Sequence, residues 1–177
     1  MPLFWFRLMF VGVGLLPASL LVFVLQYTGM EDRVSRRLLL FLSIEPVLVV
    51  LAALTDGLFH DWFLAGYVPG PDRDFVGGPA FWLHTLYSYL LAFAAYGLLI
   101  RFMVRSRSYQ AQAAFLLLGG LAASAANIVT ILGLLPESLE GMDISPFGFL
   151  VTAVVMLLNV RSQGFLDVMP IARSLVA

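Results

Sequence analysis

The chain has 177 residues, 61% hydrophobic and only 12% charged, with a formal net charge of −1. A soluble domain carries about 25% charged residues, and its core could not cover the long uncharged runs found here, whereas lipid tails solvate them directly; the charge balance also offers no basic field for nucleic acid. The absence of Cys excludes disulfides, thiolate metal sites and cysteine nucleophiles, the absence of Lys excludes a retinal Schiff base, and only His60 and His84 remain as imidazole ligands.

A spanning helix needs about 17–25 mostly apolar residues, and the sequence offers five such segments, which predict an all-α polytopic membrane bundle. The first covers about 3–27. It lacks a basic region ahead of its apolar run and is too long for a signal peptide, so it reads as a retained helix. The second covers about 38–54, and an outer loop follows over 55–80. That loop mixes Phe59, Trp62, Phe63, Tyr67 and Phe75 with Gly and Pro. It reads either as an interfacial aromatic belt with a turn or as a lid over a pocket. The third helix covers about 81–104 and the fourth about 112–135, closed by Gly133 and Pro136. The fifth covers about 146–160, with Ser145 as N-cap and Pro146 in the first turn. It is short unless it starts earlier or runs on. The bundle thus occupies 1–162, and 163–177 reads as a cytoplasmic connector. In it Phe165, Val168, Ala172 and Leu175 begin a 3-4-3 stripe that Pro170 interrupts.

Arginine placement sets the orientation. One set of flanks holds Arg33, Arg36, Arg37, Arg101, Arg105, Arg107, Arg161 and Arg173; the opposite set holds only Arg7 and Arg73. The first set belongs in the cytoplasm, with the N-terminus outside and the C-terminus inside.

Polar groups at membrane depth are costly and mark function by default. Glu45 lies about 13 Å from the outer end of its helix at 1.5 Å per residue. Pro46 beside it, like Pro17 in the first helix, removes a helical donor and frees the carbonyl one turn back, at Leu42 and Val13 respectively. Arg7 sits near the outer end of the first helix, where it reads as an interface anchor or, less favourably for side-chain direction, as a partner of Glu45. On the third helix His84 and Ser88 share a face at i, i+4, with Tyr87 alongside. Ser124, Asn127 and Thr130 recur by three on the fourth, and Thr152 and Asn159 share a face of the fifth. Helix counting puts Glu45, Tyr87, Ser88, Asn127 and Thr152 at similar depth. With His84 and Arg7 they are the candidate ligand-binding residues of an outward-facing pocket for a small ligand. The competing reading is interhelical hydrogen bonding, at about 0.6 kcal/mol per contact, which Gly119 and Ala123 also suit. No GxSxG elbow, HExxH helix or Walker A loop is present, so no catalytic residue, cofactor or metal site is assigned.

Several stretches together resemble the N-terminal seven-helix membrane region of sensor histidine kinases. They are Leu15-Leu16-Pro17 with Gln26-Tyr27-Thr28-Gly29, Thr55 with His60, and Gly78-Pro79-Ala80-Phe81-Trp82-Leu83-His84 followed by Tyr87-Ser88-Tyr89. The pattern continues through Leu116-Leu117-Leu118-Gly119, Asn127, Leu132-Gly133-Leu134-Leu135-Pro136, Asp143-Ile144-Ser145-Pro146 and 166–173. The resemblance implies a membrane sensory input module that detects a ligand or membrane stimulus and relays it to a cytoplasmic kinase, often through a PAS-type domain. It also leaves a homodimer open, since kinase modules of this class work as dimers. The chain shows five spans where the family has seven, and it carries no phosphoacceptor histidine segment or ATP-binding glycine-rich region, so no kinase activity is expected of it. The alternative is a subunit or fragment of a transporter or channel, for which paired broken helices would be the signature.

Overall fold

The computed structural model of the chain describes residues 2–58, 61–67, 75–136, 139 and 142–163. Five long helices follow the apolar runs: α1 (Pro2–Tyr27), α2 (Arg36–Thr55), α3 (Pro79–Arg105), α4 (Gln110–Ile131) and α5 (Ser145–Gln163). Four segments, Arg7–Tyr27, Arg36–Thr55, Pro79–Arg105 and Arg107–Ile131, are long and apolar enough to cross a membrane. The fifth helix starts one residue earlier than expected and runs further, to 19 residues, but its apolar stretch Ser145–Arg161 falls short of the other four. The outward faces suit lipid. On α2, Leu40, Phe41, Ile44, Val47, Leu48 and Leu51 are all exposed, while Leu42, Pro46, Val49 and Ala53 form the buried stripe. In water such a face would drive association.

Local chemistry sets the helix ends. Ser35 caps α2, its Oγ accepting from Leu38 N at 3.2 Å. Gly133, at φ +62°, ends α4 in a Schellman turn, with Leu134 N donating to Val129 O and Gly133 N to Thr130 O. The helix therefore stops at Ile131 and not near Leu135, because the left-handed residue turns the chain at once. At the start of α5 the capping acceptor is Asp143, whose Oδ1 takes Ser145 N at 2.9 Å. Ser145, expected to be the cap, is the first helical residue instead, and its hydroxyl accepts from Asn127 Nδ2.

The expected loop at 55–80 contains an antiparallel pair, β1 (Leu64–Tyr67) and β2 (Phe75–Gly77), with Leu64 opposite Gly77 and a bulge between Leu64 and Gly66. Of the residues singled out in the sequence, Phe59, His60, Arg73 and the connector beyond Gln163 lie outside the described residues, as do the side chains of Tyr67 and Phe75.

The chain divides into two compact units. The first comprises Met1–Gln26 and Met30–Ala95, with α1, α2, the hairpin and the start of α3. The second comprises Tyr27–Gly29 and Tyr96–Ala177, with the rest of α3, α4 and α5. In the second unit α4 and α5 pack through small residues, as membrane helices do where backbones approach closely. A Cβ built on Gly148 would lie 2.7 Å from Ala126 Cβ and 3.0 Å from Ala122 O. Gly97 of α3 has nothing within 4 Å of such a Cβ. Replacing Gly148 by Ala is therefore expected to cost about 1–3 kcal/mol through overpacking, whereas Gly97→Ala leaves stability unchanged or raises it. Unfolding midpoints in mixed micelles would check the contrast.

Candidate functional site

Pro46 has no N–H, so the Leu42 carbonyl one turn back has no helical donor. In a membrane no water replaces that donor. The structure supplies it from α3: Tyr87 OH donates to Leu42 O at 3.2 Å. Helix α1 packs on the other side of the proline, where a Cβ on Gly14 would touch Pro46 Cα at 3.6 Å.

One residue before the proline, Glu45 reaches the same neighbour. Its Oε1 lies 2.7 Å from His84 Nδ1, with 17% of the Glu45 side chain and 4% of the His84 side chain exposed. Ser88 Oγ stands 3.4 Å from the other ring nitrogen, Nε2. Glu45 Oε2 is buried and has no hydrogen-bond partner among the described residues. Glu45, His84, Ser88 and Tyr87 thus form one polar seam between α2 and α3.

The hairpin closes that seam at its own end of the first unit. Asp56, the residue after α2, is 2% exposed and grips the hairpin by its backbone. Its Oδ1 accepts from Phe63 N at 3.0 Å and its Oδ2 from Leu64 N at 3.1 Å. From the α3 side Gly78 N donates to Phe63 O and Ala80 N to Trp62 O, both at 2.9 Å. Gly78 is required there, because a Cβ would overlap the Trp62 carbonyl. Held this way, Phe63 is fully buried. Its ring meets Phe10 of α1 edge-on at 4.5 Å and Phe81 of α3 at 6.0 Å, and Phe10 in turn meets the His84 ring at 6.4 Å.

Arg7 stands apart from Glu45's hydrogen bonds. Its Nη2 lies beside Gly57, where a Cβ would sit 3.1 Å away, and its buried Nε has no hydrogen-bond partner among the described residues. Asn127 and Thr152 belong to the second unit and act across α4 and α5. Asn127 Nδ2 donates to Ser145 Oγ at 3.2 Å. Thr152 Oγ1 lies 2.6 Å from Gly119 O and 2.9 Å from Gly148 O, two acceptors for its single proton. Such bonds are the interhelical kind that holds membrane bundles together.

Three residues around the seam were not among the candidate ligand-binding residues. Asp56 and Phe63 lie in the stretch read as a loop and an aromatic belt, and Phe10 is one apolar residue among many in α1. The second unit also holds an unforeseen buried cluster. Tyr27 OH donates to Gln112 Oε1 and Asn159 Nδ2 to Gln112 O, each at 3.4 Å. A groove of about 290 Å³ lies between α1 and α2, lined by Leu15, Ala18, Val22, Phe23, Leu39 and Leu42 with Ser19, Gln26 and Ser43.

Comparison with known families decides the wider assignment. A family model described as the N-terminal 7TM region of histidine kinase, HisKA_7TM, matches residues 1–170. The chain belongs to this family. As a HisKA_7TM region with four long apolar helices it is a multi-pass cell-membrane protein. The family is the N-terminal membrane region of histidine kinases and not their catalytic part. No curated protein and no solved structure matches the chain.

In this HisKA_7TM region the Tyr87 hydroxyl should carry a measurable share of stability. Tyr87→Phe strands the Leu42 carbonyl and is expected to cost about 0.6–1.7 kcal/mol, from the average to the maximum for interhelical hydrogen bonds in a membrane bundle. The same change in a Pro46→Ala background, where the helix supplies its own donor, should cost less, and paired unfolding curves would show the difference.

Proposed function

We propose that this chain is the sensory input module of a two-component histidine kinase. It detects a ligand or membrane stimulus through the α2–α3 seam and relays it to a cytoplasmic kinase, fused or separate, directly or through a PAS-type domain. The arginine distribution supports a topology with the start of α1 and the hairpin outside the cell and the end of α5 in the cytoplasm. At 1.5 Å per residue α5 is about 28 Å long, close to the hydrocarbon thickness, which supports a fifth span. Residues 163–177 then act as the connector toward the kinase.

The observation that carries this reading is the Glu45–His84 pair at 2.7 Å, joining two helices within segments apolar enough to span the membrane. Ionisable groups at such depth are costly and are kept for function. A stimulus acts only by favouring one of two helix arrangements over the other, and the hydrogen-bonded α2–α3 seam is where this reading places the difference between them. The hairpin, clasped by Asp56, supplies the outward cover.

Glu45→Gln keeps the shape and removes the charge. In cells carrying the chain with its own kinase, this variant is expected to alter kinase output at unchanged membrane abundance. A fall in abundance with normal output per molecule would make Glu45 structural and contradict the reading. Saturable solute flux by the purified chain in liposomes would instead favour the transporter or channel alternative.

A further inference from the structure

The Glu45–His84 bond leaves chemistry unused on both sides. Glu45 Oε2 is buried without a hydrogen-bond partner among the described residues, and His84 Nε2 has Ser88 Oγ at 3.4 Å. A nitrogen–oxygen contact of 2.7 Å needs a proton on it. With Glu45 as the carboxylate, Nδ1 carries that proton, and Nε2 is a lone pair that accepts from the Ser88 hydroxyl.

The surroundings restrict what this site can take. The His84 side chain is 4% exposed, and Phe10 covers its ring, backed by the fully buried Phe63. No group of three His, Cys, Asp or Glu side chains able to hold a metal ion occurs among the described residues. Among the described residues the pair therefore offers little exposed surface to a molecule and no ligand set for a metal. A proton needs neither, and a neutral imidazole has one ring nitrogen free to take it.

We propose that the Glu45–His84–Ser88 chain is a proton-binding site, and that proton uptake at His84 Nε2 shifts α3 against α2 within the first unit. The proposal rests on the sensory reading above and names its ligand. One proton enters and none leaves. Nε2 gains it, the imidazole becomes imidazolium, and the pair passes from one negative charge to a neutral ion pair. Nε2 turns from acceptor to donor, so Ser88 must turn its own hydroxyl proton elsewhere, and the carbonyl one helical turn back is the acceptor within reach of a serine in a helix. That reversal lies one residue from Tyr87, which ties α3 to the carbonyl freed by Pro46.

Among the described residues, the other titratable groups on the elements packed against the pair are engaged or set apart. On α1, Arg7 lies three residues before Phe10 and so on its face of the helix, next to Gly57. At the end of α2, Asp56 is engaged by two backbone N–H groups. In the segment before β1, Asp61 is exposed. On α3, Tyr87 gives its proton to Leu42 O. None of these holds a hydrogen bond to the His84 ring among those described.

The test uses the purified full chain in lipid nanodiscs with His60→Asn, so that His84 is the sole histidine. Imidazole NMR follows His84 across a pH series. In the same sample, spin labels on cysteines placed at the exposed positions Leu48 and Leu90 report the α2–α3 distance. The expected result is a two-state change of the imidazole signal, with a distance change of about 1–2 Å at the same midpoint. Glu45→Gln should abolish the distance change. Ser88→Ala, which leaves the ion pair in place, should keep the imidazole titration and displace its midpoint. An imidazole signal that does not move, or a titration with no change in distance, overturns the proposal. Kinase output measured in parallel separates the two claims. A proton-driven shift with pH-insensitive output keeps the proton site and contradicts the sensory reading. Output that answers another stimulus while His84 stays silent does the reverse.

Discussion

A proline inside a membrane helix leaves a carbonyl that neither the helix nor water can satisfy. In this chain that carbonyl belongs to Leu42, and the Tyr87 hydroxyl of α3 satisfies it. The rest of the first unit follows from that requirement. To place Tyr87 on Leu42, α3 must lie against α2 along the face that also carries Glu45. His84, one turn earlier on α3, is then brought to 2.7 Å from the carboxylate. The proline bond and the ionisable pair are neighbours on one seam, so a change in either is felt by the other.

The hairpin completes the arrangement. Asp56 accepts both Phe63 N and Leu64 N, which anchors the hairpin to the last turn of α2. That anchor drives Phe63 between Phe10 and Phe81 and places apolar rings over the imidazole. A low local dielectric strengthens the hydrogen bonds beneath and raises the cost of leaving any of them unmade. The second unit is built differently. Its helices α4 and α5 meet through Gly119, Ala126 and Gly148, and its hydroxyl and amide bonds join backbones that already touch.

Much of this architecture is legible in sequence because the bilayer makes helix length and apolarity nearly sufficient. Pro46 alone identifies Leu42 as the orphan acceptor. Its donor is not legible, since Tyr87 faces α2 only once the crossing of α2 and α3 is known. The Glu45–His84 pair escapes for a related reason. Depths counted from helix ends assume that the ends lie level, and on that assumption His84 sits shallower than Glu45. The hairpin is hidden because its strands are only four and three residues long and stand among Gly and Pro. Asn127 and Thr152 carry the same side-chain chemistry as a pocket wall or a packing contact. Only their partners in the folded chain, Ser145 and the Gly119 carbonyl, tell where the bonds go.

The most direct measurement is a double-mutant cycle on the pair, with Glu45→Gln, His84→Gln and the double variant unfolded from the same micelles. If the two side chains form the bond that joins α2 to α3, their coupling energy exceeds about 1 kcal/mol. Single-variant losses that add to within about 0.3–0.5 kcal/mol would mean that the pair does not interact, and would contradict the seam on which this account rests.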